Sequence, residues 1–330
     1  MQKPESIEKK IFSLHTEADF NRTALSVFRF QYVYNPVYRQ FVDALGIDPS
    51  PIDHYRNIPF LPIEFFKTHQ VVCGTFTPEA VFESSGTTDT TTSRHPVKKL
   101  SLYEESLMKG FQLFFGNPEE YVFLALLPSY LERTGSSLVY MTQQLIQKSQ
   151  HRESGFYLHD YQRLARHLTA LKKQNKKVLL LGVTYALLDL AEQFPVHYPE
   201  LIIIETGGMK GKRREMVREE LHGILKKAFG VPRIYSEYGM TELLSQAYSK
   251  GNGLFQTPPW MKILIRDTND PLDVVPQGKS GGINVIDLAN LYSCSFIATQ
   301  DLGKIVSSGS FEVLGRFDNS DVRGCNLLVQ

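Results

Sequence analysis

Apolar runs of strand length alternate with amphipathic segments in the middle of the chain. Val178–Val183 is one such run, residues 201–204 form the next, and residues 233–235 predict a third strand. Helical spacing follows the first two runs, over residues 185–194 and about 212–229. Strands that alternate with helices at this spacing need crossover connections, which make neighbouring strands parallel. The sequence therefore predicts an α/β fold whose parallel sheet carries helices on both faces.

The flanking regions predict further elements. The first 50 residues are predicted to be helical, residues 121–127 a buried strand and residues 138–145 a helix. Ser101-Leu-Tyr-Glu104 has the pattern of a capping box, which predicts a helix from there to about Phe115. The last 70 residues contain short alternating segments broken by glycine and proline, which indicates a small antiparallel β subdomain. We therefore predict an α/β region over residues 1–260 and a β subdomain over residues 261–330.

Net charge and cysteine content narrow the class of protein. Lys plus Arg number 36 against 35 Asp plus Glu, so the formal net charge of +1 gives no general attraction for nucleic acid or an acidic membrane. No apolar run of about 18 residues is present to span a membrane, and the N-terminal residues lack the apolar core of a signal peptide. Cys73, Cys294 and Cys325 form no CxxC pair. These features predict a cytoplasmic protein with reduced thiols.

Residues 83–94 concentrate hydroxyl side chains around one glycine. The segment reads Glu-Ser-Ser-Gly-Thr-Thr-Asp-Thr-Thr-Thr-Ser-Arg, follows a short apolar strand at Val81 and Phe82, and ends at Arg94. A phosphate group offers several acceptor oxygens and is bound by backbone N–H groups, hydroxyl donors and a cation. A solvated linker rich in serine and threonine is the alternative for such a segment taken alone. The segment is a candidate phosphate-binding loop.

Two polar segments follow neighbouring predicted strands. One is Glu205-Thr-Gly-Gly208, and the other is Ser236-Glu-Tyr-Gly-Met-Thr-Glu242. Because ligands of parallel sheets bind beyond the carboxyl ends of the strands, we expect the two segments to lie side by side at a ligand site. The paired glycines let a flat ring approach the backbone, Tyr238 offers a stacking face, and Glu242 offers an oxygen ligand suited to magnesium. The alternatives are an ordinary glycine turn, a core position for Tyr238 and a helix-capping role for Glu242.

Four segments occur in a fixed order over residues 84–318. They are Ser84-Ser-Gly-Thr-Thr88, Tyr238-Gly-Met-Thr-Glu242, Thr299-Gln-Asp-Leu-Gly303 and Gly315-Arg-Phe-Asp318. Together they resemble the adenylate-forming superfamily of acyl-CoA synthetases, peptide-synthetase adenylation domains and firefly-type luciferases. Within it the chain is most similar to the acyl-protein synthetase (LuxE-type) family, the fatty-acid-activating subunits of bacterial luminescence fatty-acid reductases. That closer likeness lies in residues 128–141, residues 205–211 and Val322-Arg-Gly-Cys325.

The resemblance implies ATP and Mg²⁺ as ligands and indicates which positions bind them. It assigns the ATP phosphates to Ser84, Ser85, Gly86, Thr87 and Thr88, and the adenine to Gly207, Gly208, Tyr238 and Gly239. It assigns a phosphate contact to Thr241, magnesium to Glu242, the ribose hydroxyls to Asp301, and ribose or phosphate to Arg316. The residue types suit these roles, because a carboxylate accepts hydrogen bonds from two hydroxyls and a guanidinium binds oxyanions through two parallel donors.

The chain departs from the superfamily pattern in three respects. The phosphate loop of the superfamily usually continues Gly-x-Pro-Lys, so here Arg94, or else His95 or Lys98, would supply the cation. Gln300 stands where many members have glycine. The sequence also ends soon after Arg316, so we expect the mobile C-terminal domain of the superfamily, with its catalytic lysine, to be absent. The expected fold is then the large N-terminal domain of the adenylate-forming type.

The resemblance implies a two-step acyl activation. A fatty or other apolar carboxylate attacks the α-phosphorus of Mg-ATP to give an acyl-adenylate and pyrophosphate, and the acyl group then passes to a thiol. Arg94, Thr241 and Glu242 are the candidate catalytic residues of the first step. Cys325 is the candidate acceptor of the second step, since Arg323 beside it would favour the thiolate. A partner reductase or carrier protein and coenzyme A are the other candidate acceptors, and an ordinary near-terminal cysteine is the alternative for Cys325.

Two other functions stay open from the sequence. The missing loop lysine and C-terminal domain suit a non-catalytic member that binds nucleotide or acyl-adenylate. They also suit an acyl-CoA ligase whose C-terminal domain lies on another polypeptide. A zinc site is not expected, because His151, His159 and His167 are too widely spaced to share one helix face as ligands. A serine hydrolase is disfavoured, because the Gly-x-Ser-x-Gly elbow is absent.

Overall fold

The computed structural model describes residues 3–84, 92–128, 135–207, 214, 216–307 and 309–317. Its helices are α1 Pro4–Ile11, α2 Glu17–Tyr34, α3 Pro36–Ala44, α4 Phe65–Thr68, α5 Leu100–Phe115, α6 Ser137–Ser149, α7 Tyr161–Lys173, α8 Thr184–Gln193 and α9 Arg218–Phe229. Its strands are β1 Leu61–Pro62, β2 Ala80–Glu83, β3 Arg94–Val97, β4 Val122–Leu126, β5 Gly155–Tyr157, β6 Val178–Val183, β7 Ile202–Thr206, β8 Tyr235–Tyr238, β9 Ala247–Ser249, β10 Leu254–Gln256, β11 Met261–Arg266, β12 Ser280–Asp287, β13 Phe296–Ser307 and β14 Ser310–Arg316.

The chain divides into two compact units. Unit 1 comprises Met1–Glu79, Gly86–Lys98 and Gln256–Gln330, and unit 2 comprises Ala80–Ser85 and Lys99–Phe255. The N-terminal helices thus share a unit with the C-terminal strands. The functional division at residue 260 stays a prediction. Among the described residues, no helix combines the length and the apolar character that crossing a bilayer requires.

Unit 2 contains the parallel strands that the sequence predicts. Its strands lie in the order β10-β9-β8-β7-β6-β4-β5. Strands β5, β4, β6, β7 and β8 pair in parallel, whereas β9 runs antiparallel to β8. The chain passes from β6 through α8 to β7 and from β7 through α9 to β8. The predicted crossover pattern, and with it the α/β fold class, is confirmed.

Helices α7, α8 and α9 belong to the apolar core of unit 2. The core side chains of these helices include Leu164, Leu168, Leu187, Leu190, Leu225 and Phe229, which pack with Leu180 and Ile203 of the sheet. Complete burial of one such side chain stabilises the fold by about 1.5–3 kcal/mol. This core therefore fixes the position of β7, with which β8 pairs.

The capping box predicted at Ser101 is wrong, although the helix itself is confirmed. Helix α5 begins at Leu100 with Lys99 as its N-cap, and no side chain caps it. Ser101 is exposed, and the Glu104 carboxylate accepts a hydrogen bond from the Tyr140 hydroxyl instead. The apolar side chains of α5 decide where this helix begins, because Leu102, Tyr103 and Leu107 are buried.

Two boundaries around the predicted site also differ from the sequence prediction. Strand β8 runs from Tyr235 to Tyr238 rather than over residues 233–235, so Ser236 and Glu237 lie within the strand. Helix α9 begins at Arg218, and the described residues Met216 and Val217 lie outside it. Strand β8 reads Tyr-Ser-Glu-Tyr, which is not an apolar run, and its pairing with β7 and β9 makes it a strand.

Unit 1 contains the antiparallel strands predicted for the C-terminal region. Strands β11, β12, β13 and β14 lie side by side in that order, each antiparallel to the next, and β1 pairs in parallel with β13. Helices α2 and α3 contribute Phe28 and Tyr38, whose rings pack against Phe296 of β13. Residues Thr299 to Gly303 lie inside β13.

Candidate functional site

The carboxyl ends of β7 and β8 bring two predicted segments together in unit 2. Glu205 pairs with Ser236, and Thr206 pairs with Glu237, in a parallel register. Gly207 follows the first strand directly, and Gly239 follows the second. The expectation that these two segments lie side by side is therefore confirmed. Gly208 lies outside the described residues.

Both described glycines are needed for local geometric reasons. Gly207 has a φ of 68°, a left-handed conformation that costs an ordinary residue about 1–2 kcal/mol. A Cβ built on Gly239 would lie 2.4 Å from Oε1 of Glu237, so a side chain there would displace that carboxyl group. The missing Cβ of Gly239 thus leaves room for the Glu237 carboxyl group.

Tyr238 is a buried residue at the last position of β8. Its side chain is 8% exposed, and its ring meets Phe255 edge-on with centroids 6.0 Å apart. The residue therefore contributes to the packing of unit 2. A stacking role for the ring stays a prediction.

Thr241 and Glu242 follow β8 in a turn that leads to β9. Thr241 is partly buried and Glu242 is 4% exposed. Residues 243–246 form no helix, so the helix-capping alternative for Glu242 is wrong. Within the described ranges, no cluster of three or more His, Cys, Asp or Glu side chains could hold a metal ion. A single carboxylate still suits magnesium, which proteins commonly bind through one or two carboxylates together with substrate phosphates.

A buried acidic residue lies on each of the paired strand ends. Glu205 has Oε1 3.7 Å from Nε2 of His222 on α9, and its Oε2 accepts a hydrogen bond from the Thr184 hydroxyl at 3.2 Å. Burial opposes ionisation of Glu205, but the neighbouring His222 and Ser236 and the charge of Arg218 outweigh it and lower the pKa of the carboxyl group. Glu205 is therefore ionised at neutral pH and connects β7 to α8 and α9.

Glu237 behaves differently from Glu205. Burial raises the pKa of Glu237 to about 7, and the negative charge of Glu205 adds to this effect. The Thr206 hydroxyl donates a hydrogen bond to Oε2 of Glu237 and partly offsets the rise. A substantial fraction of Glu237 is therefore protonated at neutral pH. The sequence pattern does not distinguish this residue, because its burial depends on neighbours far away in the chain.

The predicted phosphate loop is described only at its two ends. Ser84 directly follows β2 and is partly buried, and Arg94 begins β3 and is exposed. Ser85, Gly86, Thr87 and Thr88 lie outside the described residues. The loop's role as a phosphate site stays a prediction.

The three candidate cations near this loop differ in exposure and in their neighbours. His95 is 1% exposed, and its Nε2 lies 3.0 Å from Oδ1 of Asn290. The Asn290 amide nitrogen donates to the Cys294 carbonyl, so Oδ1 accepts the proton of the His95 ring. The Lys98 ammonium lies 4.2 Å from the centroid of the Tyr292 ring. Only Arg94 of these three has an exposed side chain.

Asp301 and Arg316 lie opposite each other on β13 and β14 of unit 1. The two residues are register partners, and Nε of Arg316 donates to Oδ1 of Asp301 at 3.2 Å. The side chain of Asp301 is 11% exposed, whereas that of Arg316 is 79% exposed. The pair can therefore present a carboxylate held from one side by a guanidinium that is free to reorient.

Gln300, which departs from the superfamily glycine, has a partner of its own in unit 1. Its side-chain amide donates to Oε1 of Glu64 at 2.6 Å, and its backbone carbonyl accepts from Phe317 N–H at 2.8 Å. A glycine could not reach Glu64. The sequence showed the departure but gave no indication of this partner, which lies 236 positions away. Cys325, the predicted acyl acceptor, lies outside the described residues.

The fold is similar to that of several solved structures. The chain superposes on 2-hydroxyisobutyryl-CoA ligase in complex with 2-HIB-AMP and CoA in the thioesterification state, with a TM-score of 0.69 and 13% identity over 97% of this chain and 73% of that chain. An open conformation of that ligase gives a TM-score of 0.67 with 13% identity over 92% of this chain and 71% of that chain. ATP-bound MatB from Rhodopseudomonas palustris gives 0.54 with 17% identity over 73% of this chain and 49% of that chain.

The fold is therefore that of the adenylate-forming ligases, as the four ordered segments predicted. A family model described as acyl-protein synthetase, LuxE, matches residues 133–330. The chain belongs to this acyl-protein synthetase family. No curated protein sequence gives a significant match.

Proposed function

We propose that this protein uses ATP to activate a fatty or other apolar carboxylic acid as its acyl-adenylate and then transfers the acyl group to a thiol. The pairing of β7 with β8 is the observation that carries the proposal. It supports a nucleotide site at their carboxyl ends, where Gly207 and the segment from Tyr238 to Glu242 meet. Parallel sheets bind ligands at this edge. Membership of the acyl-protein synthetase family supports the same chemistry.

In the proposed first step, a carboxylate oxygen of the acid forms a bond to the α-phosphorus of ATP. The bond between that phosphorus and the oxygen that bridges it to the β-phosphorus breaks, and pyrophosphate leaves with the electron pair. Magnesium, when bound, would neutralise charge on the phosphate oxygens. Glu242 would hold the metal, and Thr241 would donate a hydrogen bond to a phosphate oxygen.

The family resemblance assigns further nucleotide contacts to residues of unit 1. The Arg94 guanidinium would bind a phosphate oxygen in place of the superfamily lysine, since its side chain is exposed. The Asp301 carboxylate would accept hydrogen bonds from the ribose hydroxyls, and Arg316 would exchange its contact with Asp301 for a contact with the nucleotide. Binding would be mostly a matter of positioning, which is how adenylate formation is accelerated.

In the proposed second step, a thiolate attacks the acyl carbonyl carbon and AMP leaves. Cys325, a carrier or reductase protein, and coenzyme A are the candidate thiols. The solved 2-hydroxyisobutyryl-CoA ligase was determined with CoA, which supports coenzyme A as a candidate. The family name supports a protein acceptor.

Pyrophosphate exchange tests the first step. The protein is incubated with ATP, Mg²⁺, labelled pyrophosphate and one carboxylic acid at a time, from acetate to long-chain fatty acids. We expect label to enter ATP only with acids that the protein activates. Glu242→Gln and Asp301→Asn should each lower the rate at least tenfold. Glu105→Gln, on the exposed face of α5, is the matched control and should leave it unchanged.

The same assay separates the competing functions. Measurable ATP binding without exchange for any acid would contradict the ligase proposal and support a non-catalytic nucleotide-binding protein. Exchange followed by formation of acyl-CoA on addition of coenzyme A would support an acyl-CoA ligase over an acyl-protein synthetase.

Labelling with a radioactive fatty acid tests the acceptor. We expect the wild-type chain to gain label that hydroxylamine removes, as a thioester requires, and Cys325→Ser to lose it. Cys73→Ala is the matched control, because Cys73 is buried and burial raises the pKa of its thiol well above the usual value. Equal hydroxylamine-sensitive label on wild type and Cys325→Ser would exclude Cys325.

A further inference from the structure

Strand β13 bulges at the segment that contains Asp301. Gly282 of β12 pairs with Leu302, and Asn284 pairs with Ala298. One residue of β12, Ile283, therefore faces three residues of β13: Thr299, Gln300 and Asp301. A bulge of this kind bends the strand and takes backbone groups out of the ladder. Buried backbone carbonyls need other donors, since an unpaired one costs about 1–3 kcal/mol.

Arg266 of β11 supplies these donors. Its Nη1 donates to the Ile283 carbonyl and to Oδ1 of Asn284, both at 2.9 Å, and its Nη2 donates to the Thr299 carbonyl at 2.6 Å. The guanidinium also lies 5.4 Å from the centroid of the Phe317 ring, whose backbone N–H bonds to Gln300. One side chain thus connects β11 to both sides of the bulge.

Strand β12 leaves room for the Arg266 guanidinium, because the residue that pairs with Arg266 is a glycine. Arg266 pairs with Gly282 across β11 and β12, and a Cβ on Gly282 would lie 2.4 Å from Cζ of Arg266. Any other residue at position 282 would push the guanidinium out of its place. The Thr299 hydroxyl completes the arrangement, because it donates to the Ile283 carbonyl and accepts from Asp301 N–H.

We propose that Arg266 is a positioning residue that holds the β13 bulge open and so sets the direction of the Asp301 carboxylate. The missing side chain of Gly282 leaves room for its guanidinium. The consequence for nucleotide binding rests on the proposed function, in which Asp301 binds the ribose hydroxyls. Arg266 touches backbone carbonyls, Asn284 and Phe317, and its proposed effect on the ligand passes through the shape of the bulge.

Hydrogen exchange of the ligand-free protein tests the positioning role without any nucleotide. In Arg266→Met, amide exchange in a peptide covering residues 297–302 should become at least tenfold faster, because Asp301 N–H loses its fixed partner on Thr299. Peptides of the α2 core should change less than twofold. Arg39→Met, an exposed arginine of α3, is the matched control. Unchanged exchange at residues 297–302 in Arg266→Met would overturn the proposal.

Gly282→Ala is a second variant that should remove the Arg266 guanidinium from the β13 bulge. The added methyl group displaces the guanidinium but keeps its charge, so exchange at residues 297–302 should again become faster. In the double variant Arg266→Met, Gly282→Ala, the methyl group meets no guanidinium. Its exchange rate should therefore match that of Arg266→Met within twofold. If the double variant instead exchanged faster by the product of the two single effects, the assigned contact between Arg266 and Gly282 would be contradicted. If Arg266→Met fails to fold, Arg266→Lys replaces it, since one ammonium cannot bridge the same three acceptors.

Nucleotide selectivity then tests the consequence for Asp301. We expect wild type to bind ATP at least tenfold more tightly than 2′,3′-dideoxy-ATP, and Arg266→Met to reduce this ratio below threefold with little change for the dideoxy compound. A merely destabilised protein would lose affinity for both nucleotides and keep the ratio. A wild type with no preference for ATP would count against the proposed function. An unchanged ratio in Arg266→Met, beside a lowered ratio in Asp301→Asn, would count against the role of Arg266.

Discussion

At the scale of the residue, Glu205 and Glu237 have identical side chains on neighbouring strands, but the pKa values of their carboxyl groups shift in opposite directions. Glu205 faces His222 and Thr184 and stays ionised, whereas Glu237 faces Thr206 and the space above Gly239 and takes up a proton. Burial acts on both carboxyl groups, and only Glu205 has neighbours, namely His222, Ser236 and Arg218, that outweigh it. The two residues would therefore respond differently to pH.

Replacing Glu237 with glutamine should stabilise the protein at alkaline pH and not at acidic pH. The pKa of Glu237 is about 7 in the folded state against 4.5 ordinarily, so the folded state binds this proton more tightly than the unfolded chain. The contribution of Glu237 to stability therefore falls as pH rises from about 4.5 to about 7. Glutamine keeps the acceptor for Thr206 but does not titrate. We expect Glu237→Gln to gain about 3 kcal/mol over wild type at pH 8 in urea unfolding.

The comparison at pH 5 is the control for this prediction. There the wild-type carboxyl group is largely protonated in the folded state, so most of the advantage of glutamine should disappear. Glu105→Gln, at an exposed position, should show no such difference between the two pH values. An equal gain for Glu237→Gln at pH 5 and pH 8 would contradict a titrating Glu237.

At the scale of the element, the sequence predicted what depends on local pattern. Apolar runs such as Val178–Val183 became strands, because burial on both faces of a parallel sheet demands them. Strand β8 was misplaced by two residues, since its polar residues are held there by β7 and β9. The bulge in β13 could not be predicted either, because it depends on Arg266, which lies 33 positions before Thr299.

Helices α2 and α5 differ in whether a capping box forms at the N-terminus. Thr16 accepts from Asp19 N–H, and Asp19 accepts from Thr16 N–H, which is a complete capping box at the start of α2. Thr16→Ala should therefore lower the free energy of unfolding by about 1 kcal/mol. Ser101→Ala is the matched control. Its effect should stay within about 0.5 kcal/mol, since Ser101 caps nothing.

Chemical denaturation of the two variants measures both effects. The midpoint for Thr16→Ala should move to lower denaturant, and that for Ser101→Ala should stay at the wild-type value. Loss of stability in Ser101→Ala equal to that in Thr16→Ala would restore the capping box that the sequence predicted at residues 101–104.

At the scale of the whole molecule, unit 1 contains residues from both ends of the described chain. The buried Gln31 side chain of α2 donates to the carbonyls of Asn290 and Leu291 and accepts from Ser295 N–H. Asn35 adds a hydrogen bond to the Ser293 carbonyl. These contacts explain why unit 1 joins the N-terminal helices to the C-terminal strands. They also place the Asp301 segment in a unit that the N-terminal helices help to hold.

A ligand that binds only the folded protein should stabilise it as a whole. At a concentration one hundred times its dissociation constant, Mg-ATP would add about 2.7 kcal/mol, and a chain of this size should then melt roughly 5 °C higher. The increase should shrink in Arg94→Met and Asp301→Asn, which remove a proposed phosphate contact and a proposed ribose contact, and should persist in Arg39→Met.

Removal of Mg²⁺ with EDTA should reduce the increase in wild type more than in Glu242→Gln, because the variant already lacks the proposed metal ligand. A melting temperature that Mg-ATP raises equally in all of these proteins would exclude the assigned residues. No increase in wild type, even at millimolar Mg-ATP, would exclude a nucleotide site of useful affinity.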